Sequence, residues 1–154
     1  MPLYQCIAPS EFIGITNRRE IAREFTRIHT EITAAPASFV NVVFVDTEID
    51  RTFTAGESVR PTVIPGFIRA GRDEQIRGRL LRGLSQTWSQ ITGQEIDELL
   101  IGLIDVDPTS AMEAGLILPA PGKEAEWAAE NAEVIAALKK KDTARITAAG
   151  GAGR

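Results

Sequence analysis

Apolar residues in this chain alternate between two rhythms. Residues 2–8 (PLYQCIA) form a short apolar run closed by Pro9-Ser10, which predicts a strand. Pro2 is tolerated at its first position, where the missing N–H falls at the end of the ladder. Ile21, Phe25, Ile28 and Ile32 then follow at intervals of four, three and four, the spacing of one helical face. Thr16 or Asn17 is the expected cap, since Asn17 and Glu20 have capping-box spacing. The helix should end near Ala34-Ala35-Pro36, because proline disfavours helical backbone in the residue before it. Residues 39–45 (FVNVVFV) are β-branched and aromatic, as expected of a buried strand.

The same rhythm returns about 60 residues later. Residues 62–68 (TVIPGFI) predict a strand, which Pro65-Gly66 should bulge or confine to an edge. Asp73 is a candidate N-cap for a second helix with Ile76, Leu80, Leu84, Trp88 and Ile91 on its apolar stripe, and Gly93 should end it. Residues 99–104 (LLIGLI) predict another strand. The reading is α+β: two βαβ units, about 2–45 and 62–105, forming a four-stranded sheet with both helices on one face. FVNVVFV and LLIGLI, taken as the central segments, are apolar on both sides. A second apolar sheet face needs cover, and no further long amphipathic helix remains, so self-association is implied.

A single domain is expected over residues 1–147, with a C-terminal extension from 106 and a disordered tail over 148–154. Within the extension, Ala114–Leu118 suits an extra strand and 123–141 suits a helix. Acidic residues near the start of that helix and Lys139-Lys140-Lys141 at its end complement the helix dipole.

The 154 residues carry a net charge of −4, which argues against a nucleic-acid partner. The single cysteine, Cys6, cannot form an internal disulfide and fits a reducing compartment. No apolar run reaches the length of a membrane span, and no signal-peptide pattern opens the chain. A soluble cytoplasmic protein is the expectation.

Candidate chemistry is sparse. Removal of Met1 would give Pro2 a free secondary amine, a compact base that an internal proline cannot supply. His29, the only histidine, borders the first helix's apolar stripe, so it is either a partly buried residue with one satisfied hydrogen bond or a polar group presented to a pocket. A lone histidine makes a poor metal site. Arg69 and Arg72 flank the start of the second helix, where two guanidinium groups beside free N–H donors could clamp a carboxylate, or simply be solvated. Glu113 lies in a Met-Glu-Ala-Gly turn, and Cys6 reads as packing. No phosphate loop, zinc spacing or Ser/His/Asp order is present.

Together, Pro2, Ile28-His29-Thr30, Arg69-Ala70-Gly71-Arg72, Met112-Glu113-Ala114-Gly115, Leu118-Pro119-Ala120-Pro121-Gly122 and the acidic stretch ending at Trp127 resemble the tautomerase superfamily. The closer resemblance, over about residues 2–127, is to its branch containing cis-3-chloroacrylic acid dehalogenase. The resemblance implies a homotrimer and cofactor-independent chemistry on a small carboxylate. It assigns Pro2 as general base or acid, His29, Arg69 and Arg72 as carboxylate-binding groups, with Arg72 also polarising the substrate, and Glu113 as the group that activates water in the dehalogenases. This chain departs from that pattern at Gly102, which stands where the dehalogenase has the tyrosine partnering its glutamate. Ala114 also replaces a tyrosine, and Leu116 an arginine. The departures favour tautomerisation of small 2-oxo or enol acids over hydrolytic dehalogenation of cis-3-haloacrylates. Decarboxylation of a 3-oxo acid and a non-catalytic oligomeric scaffold are the other readings.

Overall fold

The computed structural model describes residues 2–48 and 50–151, without the side chains of Asp142 and 145–151. Met1, and with it the question of its removal, lies outside the described residues, as do 152–154. The chain divides into two compact units, Met1–Val106 and Asp107–Arg154.

The first unit runs β1 (Leu3–Pro9), α1 (Ile15–Thr33), β2 (Asn41–Thr47), a small hairpin of β3 (Phe53–Thr54) and β4 (Glu57–Ser58), β5 (Thr62–Arg69), α2 (Glu74–Thr92) and β6 (Leu99–Val106). β1 pairs parallel with β2, and β5 parallel with β6, as two βαβ crossovers require. β1 and β5 join the halves antiparallel, giving the order β2-β1-β5-β6. The first strand of each unit is therefore central, and FVNVVFV and LLIGLI lie at the edges instead. Each crossover places its second strand outside the first, and the two first strands meet at the junction.

β5 alternates strictly, and β1 does so from Leu3 to Ala8. Tyr4, Cys6 and Ala8 on β1 and Thr62, Ile64, Gly66 and Ile68 on β5 are buried toward the helices. They meet Ile21, Phe25 and Ile28 of α1 and Leu80, Leu84 and Trp88 of α2, the two predicted stripes. At one end of this core Gln94 is 2% exposed. Its Oε1 accepts from Trp88 Nε1 (2.9 Å) and Thr62 Oγ1 (2.6 Å), so the buried polar groups satisfy one another. The opposite sheet face has no such cover within the unit. Val43, Val45, Leu100 and Ile104 are 46%, 45%, 64% and 46% exposed on it.

Two local expectations change, and a third holds. Pro65-Gly66 lies in a central strand and does not bulge it. Leu3–Phe67, Tyr4–Gly66 and Ile7–Val63 keep one register on both sides of Pro65, and the ladder is interrupted opposite Gln5 and Cys6, beside the proline that brings no N–H. α1 is capped by Gly14, not by Thr16 or Asn17, and Asn17 Nδ2 instead donates to Phe12 O at 2.9 Å. α2 begins as predicted, with Asp73 accepting from the Ile76 N–H at 2.8 Å, and Gly93 ends it in the left-handed conformation, φ 75°.

The second unit holds β7 (Met112–Glu113), β8 (Leu116–Ile117), α3 (Glu124–Glu130) and α4 (Ala132–Gly151). Ala114–Leu118 is not one added strand. Ala114 and Gly115 both have positive φ, 52° and 81°, and make the tight turn of a hairpin. The expected single helix over 123–141 breaks at Asn131, whose Nδ2 donates to Trp127 O at 2.8 Å. Trp127 Nε1 donates to Ile117 O at 2.8 Å and ties α3 to the hairpin. α4 carries helical backbone to Gly151, into the stretch 148–154 expected as a disordered tail.

Gly66 is a packing requirement. A Cβ there would stand 2.7 Å from the Tyr4 ring and 2.9 Å from the Leu103 side chain, closer than real contacts allow. Gly66→Ala should therefore lower stability by about 1–3 kcal/mol. Urea midpoints measured beside Gly102→Ala, whose Cβ would meet nothing within 4 Å, separate this contact from a general glycine effect.

Candidate active site

β1 starts where β5 ends. Because Leu3 lies opposite Phe67, the end of β5 that carries Arg69 passes the beginning of β1. The crossover geometry brings the last turns of α1 and the first turn of α2 to that same end of the sheet. Pro2, His29, Arg69 and Arg72 therefore gather at one end of the first unit, from four separate elements. Glu113 belongs to the second unit, where it is half-buried and paired with Leu116 across the hairpin.

Pro2 is fully buried. Its carbonyl accepts the Asn41 N–H at 2.9 Å, so the ladder between β1 and β2 extends to the second residue of the chain. Arg69 and Arg72 are half-buried, and between them Gly71 turns with φ 94° to lead into α2.

His29 is 3% exposed. Its Nδ1 lies 2.7 Å from Tyr4 Oη, and both groups are buried. The Tyr4 ring packs edge-on against Phe25 and His29, with centroids 5.6 and 5.8 Å apart. Burial, helped by the positive charge of Arg72, lowers the His29 pKa to about 4. The imidazole is therefore uncharged at neutral pH. Burial likewise raises the Tyr4 phenol, which stays protonated, and pushes the Cys6 thiol up to about 12, which makes Cys6 unreactive.

Tyr4 is the site residue that sequence reasoning left unassigned. A signal was available: a tyrosine on the inward side of a buried strand needs a partner for its hydroxyl. The lone histidine on the helix stripe facing that strand was a polar group able to serve. Among the described residues no group of three or more metal-binding side chains occurs, and no helix is long and apolar enough to cross a membrane.

The fold and this end of the sheet define a tautomerase-like protein. The chain belongs to the tautomerase superfamily, in the branch related to cis-3-chloroacrylic acid dehalogenase. It matches the family described as putative oxalocrotonate tautomerase enzymes over residues 1–132. The crystal structure of native Ps01740 is 35% identical and covers 72% of this chain and 99% of its own, with a TM-score of 0.70. N1, a member of the cis-3-chloroacrylic acid dehalogenase family, is 27% identical over 82% of this chain and 90% of its own, with a TM-score of 0.77. A fused 4-OT symmetric trimer shares the fold at 19% identity, over 78% of this chain and 98% of its own, with a TM-score of 0.71. No protein with a curated description matches the chain.

The single histidine allows a direct test of the site's electrostatics. Because its folded pKa lies below the ordinary 6.5, the unfolded chain binds the proton first. The stabilisation is complete above about pH 6.5 and is lost as pH falls toward 4, by about 3 kcal/mol in all. An imidazole proton resonance titrating near 4 is expected, and one titrating near 6.5 would contradict the burial.

Proposed function

We propose that this protein is a cofactor-independent tautomerase of small 2-oxo and enol carboxylic acids, with Pro2 as the general base. The observation that carries the reading is the burial of Pro2 at the start of a central strand, at the sheet end reached by Arg69, Arg72 and the first turn of α2. In this mechanism Arg69 and Arg72 hold the substrate carboxylate. They also balance the negative charge that develops on the enolate oxygen, where preorganised cations act most strongly. The Pro2 nitrogen takes a proton from one position of the substrate and returns it to another, so the reaction is an isomerisation with no net gain or loss. A buried amine beside two guanidinium groups has its cation disfavoured twice, which lowers its pKa toward the working range of a base. The reading requires that Met1 be removed.

Hydrolysis of cis-3-haloacrylates is the second reading, favoured by the likeness to N1 and by Glu113. It reverses the demand on Pro2, which must stay protonated to donate to carbon while Glu113 directs water. Gly102 weighs against it, because no side chain is available there to partner the glutamate.

The assembly proposed is a homotrimer in which the uncovered sheet faces of three copies form a shared interior. Sedimentation should give three times the chain mass, and a monomer mass would overturn this. For the chemistry, ketonisation of phenylenolpyruvate should fall at least about 100-fold in kcat/KM for Pro2→Ala and for Arg72→Ala, the scale of losing a general base or a charge-stabilising group. Unchanged turnover in Pro2→Ala refutes the enzymatic reading. Intact mass of protein from its native host checks that proline is the first residue. A rate that rises with pH along a basic limb supports tautomerisation, whereas dependence on a protonated amine supports dehalogenation.

A further inference from the structure

Tyr4 has no place in the mechanism above, yet its buried hydroxyl is bonded to His29. Among the described residues, His29 Nδ1 is the one hydrogen-bond partner of Tyr4 Oη. That fact decides the direction of the bond. Tyr4 is fully buried, so its hydroxyl hydrogen has no solvent to reach. If Nδ1 carried the proton and donated to Oη, the phenolic hydrogen would be left unsatisfied in an apolar core, a costly arrangement. If Oη donates to Nδ1, the phenolic hydrogen and Nδ1 are both satisfied, and the neutral ring carries its proton on Nε2.

We propose that Tyr4 is a positioning residue, whose hydroxyl donates to His29 Nδ1 and so fixes the imidazole as the Nε2–H tautomer that offers a hydrogen-bond donor to the substrate. The substrate-facing part of this inference rests on the tautomerase reading; the tautomer itself does not. The geometry around Tyr4 holds the bond rigid. Its ring lies across Gly66, the one residue type that leaves room for it, and meets Phe25 edge-on at 5.6 Å. The low pKa of His29 agrees with a ring that serves as an uncharged donor, leaving the two arginines to supply the positive charge. The substrate group it suits is an acceptor oxygen of the carboxylate or of the adjacent carbonyl or enolate.

Nitrogen-15 correlation spectra of the protein at pH 7 test this directly, because one histidine gives one ring to observe. The expected result is a single tautomer with protonated Nε2 and bare Nδ1. Tyr4→Phe keeps the ring and its packing and removes only the donor, and should convert the spectrum to a mixture or to the other tautomer. A protonated Nδ1 in the parent protein, or an unchanged spectrum in Tyr4→Phe, would overturn the proposal whatever the activity. In turnover of phenylenolpyruvate, Tyr4→Phe should raise KM about 5- to 10-fold, the scale of one neutral hydrogen bond, with kcat changed less. His29→Gln retains an amide donor on a side chain of similar reach, and adding Tyr4→Phe to it should cost nothing more. Additive losses in the double variant would show that Tyr4 acts through packing alone. A chain inert toward every enol acid would remove the tautomerase reading, while the spectra would still decide the tautomer.

Discussion

Everything at the candidate site depends on β1 lying in the middle of the sheet with Pro2 tied into it. β1 is bonded to β2 on one side and β5 on the other, and the ladder reaches back to the Pro2 carbonyl. At the start of an inner strand Pro2 is a buried residue with fixed neighbours. The antiparallel junction between the two βαβ units then determines those neighbours, because only that pairing brings the end of β5, and with it Arg69 and Arg72, past the beginning of β1.

The same junction links packing to chemistry through Tyr4. Its position across Gly66 is a matter of cross-strand register, and its reach to His29 is a matter of which face of α1 meets the sheet. Burial that stabilises the fold also strips charge from the imidazole, so stability and proton affinity are coupled at one residue. On the proposed reading the site separates its roles: positive charge comes from guanidinium groups that cannot lose it, and hydrogen bonding from a ring held uncharged.

Much of this was legible in the chain. Two helical stripes, four apolar strand segments and their recurrence gave the α+β architecture, and the Asp73 and Gly93 ends of α2 followed from local chemistry. Strand order was not legible, because apolarity on both faces looks alike in a central strand and in an edge strand whose outer face awaits a partner. Pro65 misled for a related reason: proline argues against a central strand, but an antiparallel ladder can be interrupted locally and keep register. The hairpins at Ala55-Gly56 and Ala114-Gly115 escaped notice because alanine rarely adopts the positive φ of 53° and 52° found there. Pro2, His29, Arg69 and Arg72 could be named as candidates from their order in the chain. The bond between Tyr4 and His29 could not, since nothing in sequence ties residues so far apart until the register of β1 against α1 is known.

The central claim is that the amine of Pro2 is unblocked and has its proton affinity lowered by burial and by Arg69 and Arg72. Titration of nitrogen-15 proline-labelled protein, followed at the terminal nitrogen, measures this most directly. The account predicts a terminal amine that titrates in the neutral range, and moves upward when Arg72 is replaced by alanine. A terminal proline nitrogen that behaves as an amide, or that titrates where an exposed secondary amine does and ignores Arg72, would contradict it.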